Sequence, residues 1–484
     1  MITIRTPAGE FFSDICDMLR LFLGDVHIET TSGEATYEHT VLEEAGMIRD
    51  IWSRGDLSAC VERPLPQGDS IEVRRARKRQ VKTALYALLK KTTGMQPPWG
   101  SLTGIRPTRL LYEATDAGMD LAAAREHVMR EFDVSADRAG LLCEIAEMQQ
   151  GIRVPEKDVF DLYIGIPFCR TRCSYCSFSS GEIGRNRKLV APYTEALLRE
   201  IDLSAELMRR AGLKVRAAYM GGGTPTAIPC DDLERILSAA MEAFPGAAEW
   251  TVEAGRPDTI DRERLGMLHR LGVSRISVNP QTFSDETLAL IGRAHTGEDT
   301  VRAFELARET GFDDINMDLI AALPGETPEI FAASLEKVIS LDPESITVHS
   351  LAIKRSSKLH EMMHVSGSGH TQVSASGAGE MITHARRRLR EGGWLPYYLY
   401  RHKYMAGNLE NVGYAKRGKA CLYNIGNMEE TASVLALGAG AITKWLFDRQ
   451  LRIERAANVK NIEEYIARVD EMVQRKADLI LPEG

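Results

Sequence analysis

From Asp161 to about residue 356 the sequence alternates short apolar runs with amphipathic stretches, and this rhythm constrains the fold more than any other feature. Candidate strands cover residues 162–166, 215–220, 250–254, 275–278, 315–320 and 345–351. Apolar residues at helical spacing fill the gaps at 193–210, 231–244, 262–271, 300–310 and 328–341. Six β-α units in succession require a parallel sheet with helices outside, either an open sheet or a partly closed barrel. Right-handed crossovers put every strand's C-terminal end on one rim. Cys169, Gly221, Glu253, Gln281, Asp318 and Ala352 fall at or just beyond those ends, so they converge there.

The first of these strands runs into Cys169, Cys173 and Cys176, spaced C-x3-C-x2-C in a loop too short to send them apart. A structural zinc site wants four closed ligands, whereas three thiolates on a four-iron cluster leave one iron open to a reactant. Gly221-Gly222-Gly223-Thr224-Pro225-Thr226 follows the second strand. Without Cβ atoms the backbone can approach a ligand closely there, and free N–H groups can receive a carboxylate or an amine. Asp318 lies in an otherwise apolar strand, where a carboxylate is costly unless bonded, and Arg293 can fork to a carboxylate.

Tyr-x-x-Ile-Pro-Phe-Cys at 163–169, running into the three-cysteine motif, resembles the radical S-adenosylmethionine superfamily and in particular its coproporphyrinogen-oxidase-like branch. The resemblance implies an α/β fold built on a partial (β/α)6 barrel. It also implies a [4Fe-4S] cluster on Cys169, Cys173 and Cys176, with Tyr163 beside it and S-adenosylmethionine on the fourth iron. Gly222, Gly223 and Thr224 would meet its amino group, and Glu253, Gln281, Arg293, Asp318 and the backbone near Ala352 would bind the rest. A second S-adenosylmethionine is implied near Ala352 and Ile442. Cleaving the sulfonium to a deoxyadenosyl radical takes an electron, so a low-potential electron donor is an implied partner.

The 484 residues are long enough for a barrel with additions, and 44 % hydrophobic and 26 % charged residues are ordinary for a globular chain. No apolar run is long enough to span a bilayer and residues 1–6 read as a strand, so a cytoplasmic protein is expected. Eight cysteines, three clustered and five scattered, suit a reducing compartment with one metal site. An open iron would be oxygen-labile, so anaerobic working conditions are expected. A net charge of −8 argues against nucleic acid as a partner. The basic stretch 74–79 runs into a helical pattern and reads as a solvated helix face.

Residues 1–158 read as an α+β domain, with strands near 26–29, 35–42, 47–52 and 57–62, a helix at 11–23, and an ordered loop at 97–108 rich in Pro, Gly and Trp. Residues 159–356 form the barrel. Residues 357–484 read as a mainly helical extension that covers the substrate: a loop at 365–379, helices at 380–391 and 462–476, and a glycine-rich turn at 436–442. In the aromatic run 394–411, Tyr397, Tyr398, Tyr400 and Tyr404 offer faces for a macrocycle, and Arg401 and Lys403 offer partners for propionates. That run resembles HemZ-type coproporphyrinogen dehydrogenases, which implies a tetrapyrrole substrate and oxidative decarboxylation of two propionates. Two positions depart from the decarboxylating prototype: Gly165 stands in place of a histidine and Phe178 in place of a further cysteine. Phe178 also matches the haem-chaperone branch. A haem-binding chaperone and another radical reaction on a tetrapyrrole, such as methyl transfer or ring opening, therefore stay open.

Overall fold

The computed structural model of the chain describes residues 1–24, 26–104, 106–154, 158–353, 357–359, 373–401, 409–447 and 452–481. They group into two compact units, Met1–Cys143 and Glu144–Gly484.

In the first unit, β1 (Ile2–Arg5), β2 (Ile28–Thr30), β3 (Tyr37–Glu44), β4 (Met47–Arg54) and β5 (Leu57–Pro64) form a sheet in the order β2-β1-β3-β4-β5. Strand β1 is parallel to both neighbours, and β3, β4 and β5 make an antiparallel meander. Helices α1 (Phe12–Leu23) and α2 (Ser70–Thr93) supply Ile15, Leu19, Leu85 and Leu88 to a core shared with Ile4 and Trp52. Arg74 and Arg75 of the basic stretch are exposed, as a solvated face requires. Arg77 leaves that face and donates to Asp50 at 2.8 Å, with His39 2.8 Å from the same carboxyl. Burial alone would raise Asp50, but its bonds to His39 and Arg77 hold it below the usual range. In the loop after α2, Trp99 is fully buried.

The second unit is built on β6 (Val159–Ile166), β9 (Lys214–Gly222), β10 (Glu249–Gly255), β11 (Arg275–Val278), β12 (Ile315–Ala321) and β13 (Ser345–Ser350). They lie side by side in chain order, all parallel. The crossovers carry helices α6 (Ile183–Arg210), α7 (Cys230–Ala243), α8 (Arg262–Arg270), α10 (Gly297–Thr310) and α11 (Pro328–Leu341). A two-residue pair, β7 (Phe168–Cys169) with β8 (Gly181–Glu182), brackets the cysteine loop. No ladder joins β13 to β6 among the described residues, so the barrel is open.

The C-terminal extension is mainly helical among the described residues, as expected, and it carries strands besides. Alongside helices Ala375–Glu391, Leu422–Glu429, Ile462–Ala467 and Val469–Ile480 it supplies β14 (Leu395–Tyr400), β15 (Asn411–Ala415), β16 (Ser433–Leu437), β17 (Ile442–Phe447) and β18 (Arg452–Ala457). These join both edges of the barrel sheet, giving eleven strands in the order β14-β15-β13-β12-β11-β10-β9-β6-β16-β17-β18. The aromatic run is a strand because aromatic side chains suit a half-buried pleated surface. Of the turn expected at 436–442, only Gly438 to Ala441 lies between strands, and the helix expected at 462–476 is interrupted at Arg468. Most of the expected loop at 365–379, and Lys403 and Tyr404, lie outside the described residues.

Two buried ion pairs tie this unit together. Arg216 on β9 forks to Asp161 on β6 at 2.9 and 2.7 Å. Lys476 on the last helix donates to Glu200 of α6 at 2.6 Å, both side chains without solvent contact. No helix among the described residues is long and apolar enough to cross a membrane.

Candidate active site

Cys169, Cys173 and Cys176 line one cavity of about 390 Å³ at the C-terminal rim of the sheet. All three are free thiols, and burial pushes those of Cys169 and Cys176 up. Arg256, just past β10, fixes the loop. It forks to Asp258 at 2.9 and 3.1 Å, donates to the Thr171 carbonyl at 3.1 Å and reaches within 3.8 Å of Cys173 Sγ. Thr224 Oγ1 stands 3.7 Å from Cys169 Sγ. Among the described residues no three His, Cys, Asp or Glu side chains close on a point, as a single ion would require. Three soft sulfur donors lining one cavity, with the Arg256 guanidinium beside Cys173, suit a polynuclear iron–sulfur cluster.

The glycine run at the end of β9 lines the cavity through Gly222 and Gly223. A Cβ on Gly223 would sit 2.5 Å from the Phe168 carbonyl oxygen and 2.9 Å from its nitrogen, so the run must lack side chains to lie against the cysteine loop. The expected free N–H groups are not there: Gly223 donates to Ile166 at 2.8 Å and Thr224 to Phe168 at 2.7 Å. Gly223→Ala is expected to displace the cysteine loop at a cost of about 1–3 kcal/mol and to weaken cluster retention; iron content and thermal unfolding of the purified variant check it.

Glu253, Gln281, Arg293, Asp318 and Ala352 all line this cavity. Tyr219 donates to Glu253 at 2.6 Å, and burial, with the Asp318 charge nearby, raises Glu253 to about 7. Burial would raise Asp318 too, but His349, Asn316 and Thr347 hold it low; Asn316 donates at 2.8 Å and His349 Nε2 lies 3.7 Å away. Gln281 sits in the left-handed region at φ 68°, held by backbone bonds to Asp318 and from Ile320, both 2.9 Å. Arg293 donates to the Asn279 carbonyl at 2.5 Å, while Arg293 Nε and Asn279 Oδ1 are buried without a partner. Orphaned donor and acceptor atoms on cavity-lining residues mark where a polar ligand fits.

Glu253 carries a pH prediction. Between its ordinary value of 4.5 and about 7 the folded chain holds a proton that the unfolded chain has released, so stability falls as pH rises through that window. Glu253 keeps some contact with the cavity, which limits the effect to about 1–2 kcal/mol. Glu253→Gln is expected to raise the melting temperature of the ligand-free protein near pH 8, to change little near pH 5, and to weaken S-adenosylmethionine binding; calorimetry at both pH values checks it.

Two expected residues do not line the cavity. Tyr163 lies one layer behind, its ring 6.4 Å from Tyr219 and 6.3 Å from Tyr423, and burial raises its hydroxyl. Ile442 begins β17, 48 % exposed and paired with Ala457 on the outer ribbon. Of the aromatic run, Tyr398 and Tyr400 line the cavity with nearly parallel rings 6.4 Å apart. Gly413 makes room for Tyr398, because a Cβ there would lie 1.9 Å from its ring. Tyr397, at an irregularity in the β14–β15 register, is buried in the core instead. Arg401 is buried. Residues not anticipated are Tyr219, Arg256, His349 and Asn424. His349, a polar residue inside an apolar strand, carried the same signal as Asp318.

An open parallel barrel with a three-thiol loop on its rim is the architecture of a radical SAM domain, and residues 163–338 match the Radical SAM superfamily. The chain is 38 % identical over 397 residues to the oxygen-independent coproporphyrinogen-III oxidase-like protein HemZ of Bacillus subtilis, covering 80 % of this chain and 78 % of that one. It is 35 % identical over 204 residues to the heme chaperone HemW of the same organism, about half of that protein's length. The solved coproporphyrinogen III oxidase HemN of Escherichia coli superposes with a TM-score of 0.53 at 25 % identity, over 68 % of this chain and 73 % of that one. The chain therefore belongs to the radical SAM superfamily and, within it, to the haem-related family of oxygen-independent coproporphyrinogen III oxidase-like proteins. That family implies a [4Fe-4S] cluster and S-adenosylmethionine, and the donor set and orphaned polar atoms above fit both.

Proposed function

We propose that this protein is an oxygen-independent coproporphyrinogen III dehydrogenase, converting two propionates to vinyl groups to give protoporphyrinogen IX. The supporting observation is that three thiols, an acidic pair and two stacked tyrosines line one cavity. Cys169, Cys173 and Cys176 hold the cluster, and Arg256 fixes their loop. Gly222, Gly223 and Thr224 face the amino group of S-adenosylmethionine. Asp318 and Glu253 accept from ribose hydroxyls, Arg293 takes the carboxylate, and Gln281 and Ala352 complete the wall. A reduced cluster held by the three thiols would supply the electron that cleaves S-adenosylmethionine to methionine and a deoxyadenosyl radical, chemistry that would remove a hydrogen atom from the propionate β-carbon, with carbon dioxide lost and one further electron passed to an external one-electron acceptor. Tyr398 and Tyr400 give the macrocycle an apolar wall that keeps water from the reacting carbon. Tyr163 packs behind Tyr219, which holds Glu253.

Tyr400→Ala is expected to weaken coproporphyrinogen binding about tenfold, consistent with losing one aromatic contact, while leaving substrate-independent cleavage of S-adenosylmethionine intact. Anaerobic equilibrium binding of the porphyrinogen, beside a deoxyadenosine assay, tests this; unchanged affinity would remove the tyrosine wall from the substrate site. A haem chaperone is the second reading. Phe178, 66 % exposed at the cavity edge, favours it by offering haem an apolar face outside the radical site. That reading predicts stoichiometric haem binding and no decarboxylation.

A further inference from the structure

Three arginines line the cysteine cavity, and they are not equally engaged. Arg256 forks to Asp258, and Arg293 donates to the Asn279 carbonyl. The Arg172 guanidinium makes no ion pair among the described residues, and its Nε is buried without a partner. A buried donor left over at a cavity wall marks a place for an acceptor from outside the chain. Arg172 also lines a second hollow of about 400 Å³, together with Phe178, Lys460, Ile462 and Glu463 among others. Phe178, like Arg172, lines both spaces, so the hollow opens off the cysteine cavity at these two residues. Lys460, in the turn between β18 and the helix Ile462–Ala467, is exposed and without an ion pair among the described residues. Glu463 is the only acid lining the hollow among the described residues, and it pairs with neither cation.

We infer that the hollow bounded by Arg172, Phe178 and Lys460 is a carboxylate subsite, which holds the unreacted propionates of a tetrapyrrole whose macrocycle lies in the cysteine cavity. This rests on the tetrapyrrole reading above. In the proposed reaction two of the substrate's four propionates lose their carboxyl groups and two keep them. A fixed partner for the lasting pair keeps the macrocycle in place through both rounds. That partner belongs away from the reacting carbon, because a cation on the departing carboxylate would stabilise the ground state more than a transition state that is losing the charge. A hollow beside the cavity meets this condition. The planar fork of Arg172 suits one carboxylate in bidentate fashion, and Lys460 meets the other as a point charge from the solvent side. The Phe178 ring covers the apolar edge of the macrocycle between them. Haem carries the same two lasting propionates, so the subsite takes either ligand.

The test uses the full-length protein with its cluster reconstituted, in separate anaerobic titrations with coproporphyrinogen III, protoporphyrinogen IX and haem. Protoporphyrinogen IX and haem keep only the lasting propionates. Lys460→Glu is expected to weaken binding of coproporphyrinogen and protoporphyrinogen by the same factor, about tenfold, and wild-type affinity is expected to fall as ionic strength rises. Lys460→Arg keeps wild-type affinity. Glu463→Gln, which removes the acid of the hollow, is expected to tighten binding of both, a change that damaged folding does not produce. Equal binding by the wild type and Lys460→Glu overturns the subsite. Weakening confined to coproporphyrinogen would put the reacting propionates at Lys460 and overturns it as well. Haem binding that weakens in Lys460→Glu, with neither porphyrinogen bound, keeps the subsite and sinks the dehydrogenase reading. Binding of none of the three overturns both.

Discussion

Cys176→Ala is expected to abolish the brown absorbance of the reconstituted protein, its iron and sulfide content, and all cleavage of S-adenosylmethionine. Two thiolates cannot hold a four-iron cluster that three already hold with one iron open, and no other Cys or His stands ready among the described residues to replace the third. Cys60→Ala removes an exposed thiol on β5 and is expected to change none of these quantities. Iron analysis with an anaerobic deoxyadenosine assay on both variants reads the contrast. A Cys176→Ala protein that keeps its colour and its activity would remove the basis for the site.

The largest expected loss of stability is at the turn after β16, beside the C-terminal end of β6. Lys476→Met leaves the Glu200 carboxylate buried with no counter-charge. Its remaining partners are neutral donors: Asn458 at 2.8 Å, the Gly438 N–H at 2.7 Å and the Tyr465 hydroxyl at 2.5 Å. Breaking one side of a buried pair costs about 3–5 kcal/mol, far more than the pair adds when intact. The same network joins α6 to the turn between β16 and β17 and to the last helix, so the loss should detach the C-terminal ribbon from the barrel. Arg475→Met, on the same helix but exposed, is expected to stay within about 0.5 kcal/mol of wild type. Denaturant unfolding midpoints measure both, and near-equal midpoints would show that the buried pair contributes no specific support.

The barrel strands were legible because parallel strands covered on both faces must be nearly continuous apolar runs, as in β6 and β12. The edges were not. Residues 394–400 were read for what their tyrosines could bind, although aromatic spacing of that kind belongs equally to a strand; β16 to β18 depend on pairing with β6, which lies more than 250 residues away in the chain. Helix α6 begins ten residues before the expected start and carries Pro192 within it. In the site, residue types at strand ends identified the cysteines, Glu253 and Asp318. Tyr219 and Arg256 escaped notice because their roles come from cross-strand register and loop packing. Ile442 was placed by motif position alone, and the outward β17 ribbon carries it away from the cavity.

The proposed function requires the cavity to decarboxylate a porphyrinogen. An anaerobic turnover tests it most directly: reconstituted protein, coproporphyrinogen III, S-adenosylmethionine and a low-potential reductant, with mass spectrometry of tetrapyrrole and nucleoside. The prediction is a tetrapyrrole that has lost two carboxyl groups, formed in step with 5′-deoxyadenosine. Deoxyadenosine released while the porphyrinogen remains intact would contradict the dehydrogenase and make haem the next ligand to test.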